Sequence, residues 1–166
     1  MISGIRIPEE RMRILRRSGK WRKMLDKFFS VKVELNEEIR ISGDNPLQIL
    51  KVKEILKAFG RGFDFDTALN LSDDEYYLEV IDVREFAGKS RNRQIVLKGR
   101  VIGRGGKMKR LIEEYTNTKI AIYGKTVSII GRCENVRVAR EAIEMLLKGA
   151  MHTSVQRFLE RKRGEI

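Results

Sequence analysis

The residues with the clearest chemical potential lie between Val101 and Lys107, where the chain reads Val-Ile-Gly-Arg-Gly-Gly-Lys. Glycine leaves the backbone bare, which permits a sharp turn or the close approach of another molecule. A helix that starts at Gly106 would aim unpaired N–H groups and its positive dipole end at that molecule, which suits phosphate. The glycines alone fit a plain turn between two helices equally well, so the surrounding sequence has to decide.

The chain around this stretch is strongly basic. Its 166 residues include 35 Lys and Arg against 23 Asp and Glu, for a formal net charge of +12. The excess favours a polyanionic partner, with nucleic acid first and an anionic membrane surface second. Two runs, Arg11–Lys23 and Lys89–Arg110, contain many basic residues and no acidic ones. One such run is usually a solvated face, and a second run makes that explanation weaker.

The sequence offers few means for catalysis. With one cysteine (Cys133) and one histidine (His152), we expect neither an internal disulfide nor a zinc cluster. Gly88-Lys89-Ser90 resembles the end of a P-loop, but the first glycine of that motif would fall on Val83. The acidic trio Asp73–Glu75 is more typical of a helix cap or a solvated turn than of a nuclease. We therefore expect no catalytic residue, no metal and no cofactor, and a protein that is not an enzyme.

Membrane insertion is not expected either. No apolar run approaches the ~18 residues of a membrane span, and nothing reads as a signal peptide. The basic runs flank turns and do not line one face of a long amphipathic helix, as a membrane-surface protein would require. These features predict a cytoplasmic protein.

The second half of the chain repeats the first. When Ile14 is written above Val101, apolar and basic positions coincide along the two segments, which indicates an internal duplication. The glycine-rich stretch Gly103–Gly106 then falls opposite Arg16-Arg17-Ser18-Gly19. The matched pairs include Ile14/Val101, Leu15/Ile102, Gly19/Gly106, Lys20/Lys107, Phe28/Tyr115, Val33/Ile120, Phe59/Leu146.

Each half predicts the same order: strand, short helix, turn, helix, two strands and a long closing helix. We assign residues 1–74 to the first domain, including a linker from Gly60 to Asp74, and residues 75–166 to the second. In the first domain we expect strands Gly4–Pro8, Val31–Leu35 and Ile39–Ile41, a helix Gly19–Phe29, and a closing helix capped by Asn45 and ended by Gly60. In the second we expect strands Tyr77–Arg84, Lys119–Tyr123 and Thr126–Ile130, helices Gly106–Thr116 and Glu134–Lys148, a hairpin turn at Gly124-Lys125, and a basic tail helix Thr153–Arg163.

This order, with Gly-x-x-Gly between the first two helices, resembles the type I KH domain along nearly the whole chain. The resemblance implies an α+β fold of two tandem KH-like domains, each a three-stranded antiparallel sheet packed against three helices. In such modules the glycine loop clamps about four single-stranded nucleotides by their backbone. Ile102 and Ile120 either line the base groove or belong to the core. The resulting candidates for RNA binding are Gly103, Arg104, Gly105, Gly106, Lys107, Arg100, Lys109, Arg110, Ile102, Ile120.

The first domain departs from the family pattern, because Arg16 stands where the first glycine of the loop is expected. Tight approach of an RNA backbone is therefore in doubt there. We treat Arg16, Arg17, Gly19 and Lys20 as a secondary RNA contact, and we expect the second domain to be the main RNA reader.

A narrower resemblance rests on the linker phrases Ala58–Phe63 and Leu71–Tyr76 and on the ending His152–Arg163. With two KH units, these look like the archaeal form of the partner-of-NOB (Dim-two) ribosome-assembly factors. The resemblance implies binding of single-stranded rRNA near the 3′ end of the small-subunit RNA, beside the endonuclease that trims it. It also implies contact with the alpha subunit of initiation factor two. A protein-docking adaptor whose RNA contact is secondary is the alternative that the sequence leaves open.

Overall fold

The computed structural model describes residues 1–165, which form two compact units, Met1–Asp74 and a second unit that begins at Glu75. Each unit contains one three-stranded antiparallel sheet whose third strand in the chain lies in the middle. A long helix follows that central strand in each unit and supplies much of the core. This is the α+β architecture that the sequence predicts.

The first unit is built around the closing helix α3. Asn45 accepts a hydrogen bond from the N–H of Leu47 at 3.0 Å, and Pro46 occupies the first helical position, as the sequence predicts. The sheet order is β1-β3-β2. The elements are β1 (Ile2–Ile5), α1 (Glu9–Arg17), α2 (Lys20–Asp26), β2 (Lys32–Leu35), β3 (Ile39–Ser42), α3 (Pro46–Gly60), α4 (Phe65–Ala68) and a 3-10 turn (Leu69–Ser72).

Two predicted bounds in this unit are wrong for simple reasons. The first strand ends at Ile5, before the predicted end at Pro8, because Pro8 instead starts α1: its carbonyl accepts the N–H groups of Arg11 and Met12. Helix α2 ends at Asp26 and does not reach Phe29, since the N–H groups of Phe28 and Phe29 both turn back to the carbonyl of Leu25.

The segment predicted as a linker packs against the first unit. Phe63 is buried, and the ring of Phe65 lies 6.1 Å from that of Trp21 and 6.0 Å from that of Phe59, measured between centroids. Aromatic pairs at such distances add stability beyond the area they bury. Residues after Gly60 therefore complete the first core.

The second unit follows the same plan with longer strands. Its sheet order is β4-β6-β5, and Gly124 takes the predicted left-handed conformation in the β5–β6 hairpin, with φ 54°. Most bounds lie within one or two residues of those predicted. The elements are β4 (Tyr76–Asp82), α5 (Arg84–Ala87), α6 (Arg91–Ile102), a 3-10 turn (Arg104–Gly106), α7 (Lys107–Thr116), β5 (Lys119–Tyr123), β6 (Thr126–Arg132), α8 (Cys133–Leu147) and α9 (His152–Arg163).

The predicted basic tail, α9, is an integral part of the second core. Val155, Phe158 and Leu159 are buried in the same apolar cluster as α7 and α8. Arg163 lies over the ring of Tyr115 near the end of α7, at 4.9 Å from its centroid. Helix α9 therefore packs on the helices of the second unit, against α7 and α8.

The alignment of the two units also needs a correction in their first helices. The sequence pairs Ile14 with Val101, yet Ile14 is 44% exposed whereas Val101 is fully buried. Leu15 occupies the buried position in α1 that Val101 occupies in α6. The turn after α1 has two residues whereas the turn after α6 has four, so an alignment without a gap cannot match both the second helices and the helices before them.

Each unit fastens its first long helix to the end of its closing helix through one arginine. In the first unit, Arg11 donates from Nε to the carbonyl of Phe59 (2.9 Å) and from Nη2 to that of Phe63 (2.7 Å). Burial lowers the pKa of the Arg11 guanidinium from its usual value. In the second unit, Arg100 donates from Nε to the carbonyl of Leu146 (2.9 Å) and from Nη2 to that of Ala150. The carbonyls of Phe59 and Leu146 already accept the N–H of Gly62 and Gly149, each at 3.1 Å, so the arginine adds a second donor to each. A cation at this end also complements the helix dipole.

We expect Gly60→Ala to destabilise the first unit. A Cβ at this position would lie 2.6 Å from Cγ2 of Ile7, so that half-buried side chain must move. The free energy of unfolding should fall by about 1–3 kcal/mol. Urea unfolding followed by the fluorescence of Trp21, the only tryptophan of the chain, measures it.

The matched control is Gly99→Ala in α6, where an added Cβ would meet nothing within 4 Å. Ala is favoured over Gly in a helix, so this change should cause no loss of stability. An equal downward shift of the Trp21 transition in both variants would contradict the packing explanation.

Candidate nucleic-acid interface

The glycine-rich stretch forms the turn between α6 and α7. Gly103, Gly105 and Gly106 have φ angles of 73°, 61° and 78°, in the left-handed region that side chains rarely adopt. All three glycines are therefore required by the path of the backbone. The turn is held by hydrogen bonds from the N–H of Gly103 to the carbonyl of Gly99 (2.9 Å) and from the N–H of Gly106 to that of Gly103 (3.2 Å).

The glycines of this loop face different surroundings. A Cβ on Gly103 would lie 2.7 Å from Cβ and 2.8 Å from the backbone nitrogen of Met108, so Gly103 allows the loop to pack on α7. A Cβ on Gly105 would meet nothing within 4 Å. Gly105 is thus the position where another molecule can approach the bare backbone.

The loop also concentrates positive charge. Arg104 and Lys107 are exposed, and within residues 1–165 neither forms an ion pair. Arg110 donates from Nη1 to the carbonyl of Gly105 at 2.9 Å, so it braces the loop and keeps its charge beside it. Lys109 lies 3.9 Å from the carboxylate of Glu113.

Helix α7 adds its own electrostatic contribution at the same place. It starts at Lys107 directly after the loop, and no side chain caps its first turn. The N–H groups of an uncapped first turn and the positive end of the helix dipole together favour an anion. The loop can therefore hold a phosphate with backbone groups as well as with side chains.

Two of the predicted RNA contacts have other roles. Arg100 is engaged with the carbonyls of Leu146 and Ala150, so its guanidinium is not presented to solvent beside the loop. The side chain of Ile120 is only 3% exposed and belongs to the core. Ile102, at the last position of α6, is 36% exposed and remains accessible.

Sequence reasoning missed an apolar strip on α6. Ile95, Gly99 and Ile102 recur at helical spacing and share one face that leads to the loop. Ile95 is 63% exposed, and an added Cβ on Gly99 would be in open space. The available signal was a set of apolar residues inside an acid-free basic run, which is unusual for a solvated helix face. An accessible apolar strip beside a phosphate site suits unstacked bases.

The first unit has no comparable loop. Only Ser18 and Gly19 separate α1 from α2, and Arg16 and Arg17 lie within α1, so they do not form a degenerate loop. Gly19 has φ −90°, which any residue can adopt. The hydroxyl of Ser18 accepts the N–H of Lys20 at 3.3 Å, which tightens the turn before α2. The first unit thus lacks the bare, left-handed backbone of the glycine loop.

Arginines also bridge the space between the helices and the sheet of the first unit. Arg16 pairs with Glu9 (2.8 Å) and donates to the carbonyl of Asn36 (3.0 Å). Arg22 stacks on Trp21, 4.5 Å from its centroid, and donates to the carbonyl of Val33 on the edge strand β2 at 2.5 Å. These bridges occupy the side of the unit where a nucleic-acid strand would lie against the sheet edge.

The described residues provide neither a cluster of three metal-binding side chains nor a membrane-spanning helix. Among residues 1–165, no three His, Cys, Asp or Glu side chains are grouped so that they could hold a metal ion. Within the same range, none of the helices has the length and apolar character needed to cross a membrane.

Comparison with known proteins agrees with this geometry. Residues 77–164 match the model of the second KH domain of PNO1, a eukaryotic-type KH domain (KH-domain type I). A KH domain-containing protein of Methanocaldococcus jannaschii is 43% identical over 99% of this chain and 75% of its own length. The pre-rRNA-processing protein PNO1 of Coccidioides immitis is 36% identical over 71% of this chain, which spans only 46% of that longer protein.

A solved structure matches both units together. One chain in the crystal structure of the a/eIF2alpha–aDim2p–rRNA complex from Pyrococcus horikoshii superimposes with a TM-score of 0.90, at 32% identity. The match covers 100% of this chain and 96% of that one. The prediction of an α+β protein with tandem type I KH-like units is confirmed, and the chain belongs to the PNO1/Dim2 family of KH-domain proteins.

Proposed function

We propose that this protein is a non-catalytic clamp for single-stranded rRNA that acts in maturation of the small ribosomal subunit. The observation that carries the proposal is the loop Gly103–Lys107, where open backbone, unpaired basic side chains and an uncapped helix start coincide. Such a combination holds a sugar–phosphate backbone without reading its sequence.

The bases of the bound strand would lie on α6. Ile95 and Ile102 offer apolar contact, and Gly99 between them lets a base approach the helix closely. RNA recognition by single-strand modules combines such contacts with phosphate binding. The basic residues Arg104 and Lys107 would fix the position of the strand, and Arg110 would add charge from behind the loop.

The relatives support the choice of RNA. Several are named pre-rRNA-processing proteins, and the Pyrococcus structure is a complex with rRNA and a/eIF2alpha. We extend both partners to this chain, together with the rRNA 3′ end and its endonuclease that the family resemblance implies. We also propose a cytoplasmic location for this role.

A protein-docking role is the second candidate, and it rests on the first unit. The first unit has no glycine loop, and the bridges from Arg16 and Arg22 occupy the basic side chains that RNA would use. The a/eIF2alpha in the Pyrococcus complex shows that a relative assembles with protein as well as RNA. In this view the second unit holds RNA while the first serves as a platform for protein.

Removing loop charges should weaken RNA binding in a salt-dependent way. Arg104→Ala and Lys107→Ala each remove one phosphate contact, so the slope of log affinity against log salt should fall by about one. Fluorescence anisotropy with single-stranded RNA over a salt series measures this. Arg137→Ala, which removes the same charge from α8 where it pairs with Glu134 (2.6 Å), should leave affinity and slope unchanged. Undetectable binding of the wild type at low salt would refute the RNA clamp.

Charge at the open glycine should be decisive. Asn and Asp are nearly isosteric and tolerate left-handed backbone, so Gly105→Asn and Gly105→Asp impose similar conformational costs. Only Asp places a negative charge where phosphate would lie, and we expect at least about tenfold weaker binding than for Asn. Equal RNA affinities of the two variants at low salt would place the RNA backbone elsewhere.

The two units should contribute unequally. The double variant Arg16→Ala, Arg17→Ala should keep most of the RNA affinity, because these side chains lie in a helix and Arg16 is already paired. Arg104→Ala with Lys107→Ala, which removes the same charge, should lose most of it. Titration of both double variants with the same RNA makes the comparison. The reverse order of affinities would move the principal RNA site to the first unit.

A further inference from the structure

The Arg100 contacts tie the loop to the C-terminal helix. Arg100 lies one turn before Gly103 in α6, and its guanidinium reaches the end of α8 and the turn that leads to α9. His152, the first residue of α9, places its Nε2 3.2 Å from the carbonyl of Arg100. The side chain and the backbone of one residue are thus both held by the α8–α9 junction.

This anchor lies directly upstream of the loop hydrogen bonds. The N–H of Gly103 donates to Gly99, the residue before Arg100, and the N–H of Gly106 donates to Gly103. A shift or fraying at the end of α6 would move the acceptors on which the left-handed glycines depend. Because glycine is the most flexible residue, such a loop keeps one shape only when its ends are fixed.

We propose that Arg100 is a positioning residue for RNA binding, through which the α8–α9 junction holds the Gly103–Lys107 loop in its binding conformation without touching RNA. The inference rests on the proposed function and reassigns a residue that the sequence places among direct RNA contacts. Its physical basis is preorganisation: a loop that is already ordered loses less entropy on binding.

The first unit supplies a matched control. Arg11 makes the same two-pronged contact, to Phe59 and Phe63, at the end of α3, but no glycine loop follows α1. Arg11→Ala therefore removes an equivalent clamp and one positive charge. It should change the stability of its own unit while leaving RNA affinity unchanged.

The test compares Arg100→Ala, Arg100→Lys, Arg104→Ala and Arg11→Ala in the full chain, by RNA titration at several salt concentrations. We expect Arg100→Ala to weaken affinity by about five- to tenfold, the cost of one or two lost hydrogen bonds, with an unchanged salt slope. Arg104→Ala should instead lower the slope by about one. Arg100→Lys keeps the positive charge but cannot make both hydrogen bonds of the guanidinium. Its RNA affinity should therefore lie between those of Arg100→Ala and the wild type.

A second measurement needs no RNA. Amide hydrogen exchange at Gly103, Gly106 and Lys107, whose N–H groups all have backbone acceptors, should accelerate in Arg100→Ala and not in Arg11→Ala. The NMR signal of His152, the only histidine, reports whether the α9 contact has moved. If Arg100→Ala does not fold, the exchange comparison is made on Arg100→Lys and on His152→Ala.

A salt slope that falls by about one in Arg100→Ala would place Arg100 on a phosphate and overturn the positioning role. Unchanged affinity together with unchanged loop exchange would overturn it as well. If the wild type binds no RNA, the proposed function fails by itself, whereas the exchange comparison still decides whether Arg100 holds the loop.

Discussion

The structure depends on how each long closing helix is ended. At the ends of α3 and α8 the last carbonyls accept N–H groups from the turns that follow, with Gly62 donating to Phe59 and Gly149 to Leu146, and each carbonyl can accept a second donor. In both units a guanidinium from the first long helix supplies two donors, Arg11 at Phe59 and Phe63 and Arg100 at Leu146 and Ala150. The acceptors correspond between the repeats, whereas the arginines stand at different positions in their helices. The shared constraint is therefore the helix end, and each unit meets it with its own residue.

The two units share this arrangement and differ in the turn that follows the first long helix. After α6, four residues with three left-handed glycines separate the helices, and the start of α7 stays open. After α1, the hydroxyl of Ser18 accepts the N–H of Lys20 within a tight turn, and Arg22 fastens α2 to the edge of β2. Such a bridge also covers an edge strand that would otherwise expose unpaired backbone groups. In the first unit, the absence of a glycine loop therefore goes together with a bridged sheet edge.

Local signals were sufficient for much of the fold. Caps and turns such as Asn45, Pro46 and Gly124 depend on neighbouring residues, so the sequence predicts them directly. The role of Arg100 and the burial of Ile120 depend on residues distant in the chain, and a basic or apolar residue type does not reveal its partner. The pairing of Ile14 with Val101 failed because the turn after α1 is two residues shorter than the turn after α6, and similarity alone cannot place a gap inside a basic run. The core position of α9 could not be predicted, because the sequence does not show which surface its apolar residues cover.

The loop itself presents a conflict between access and order. Three glycines give phosphate room at Gly105, yet they also make the free chain flexible, which would weaken binding. The surrounding contacts resolve this: Met108 packs against Gly103, Arg110 holds the carbonyl of Gly105, and the Arg100 fork fixes the preceding helix. Arg110 serves both needs, because one guanidinium restrains the backbone and leaves its charge beside the open position at Gly105. In the proposed function, a basic loop with the same composition but without these restraints would attract RNA without holding it in one register, so the restraints, more than the net charge, would make the loop a clamp.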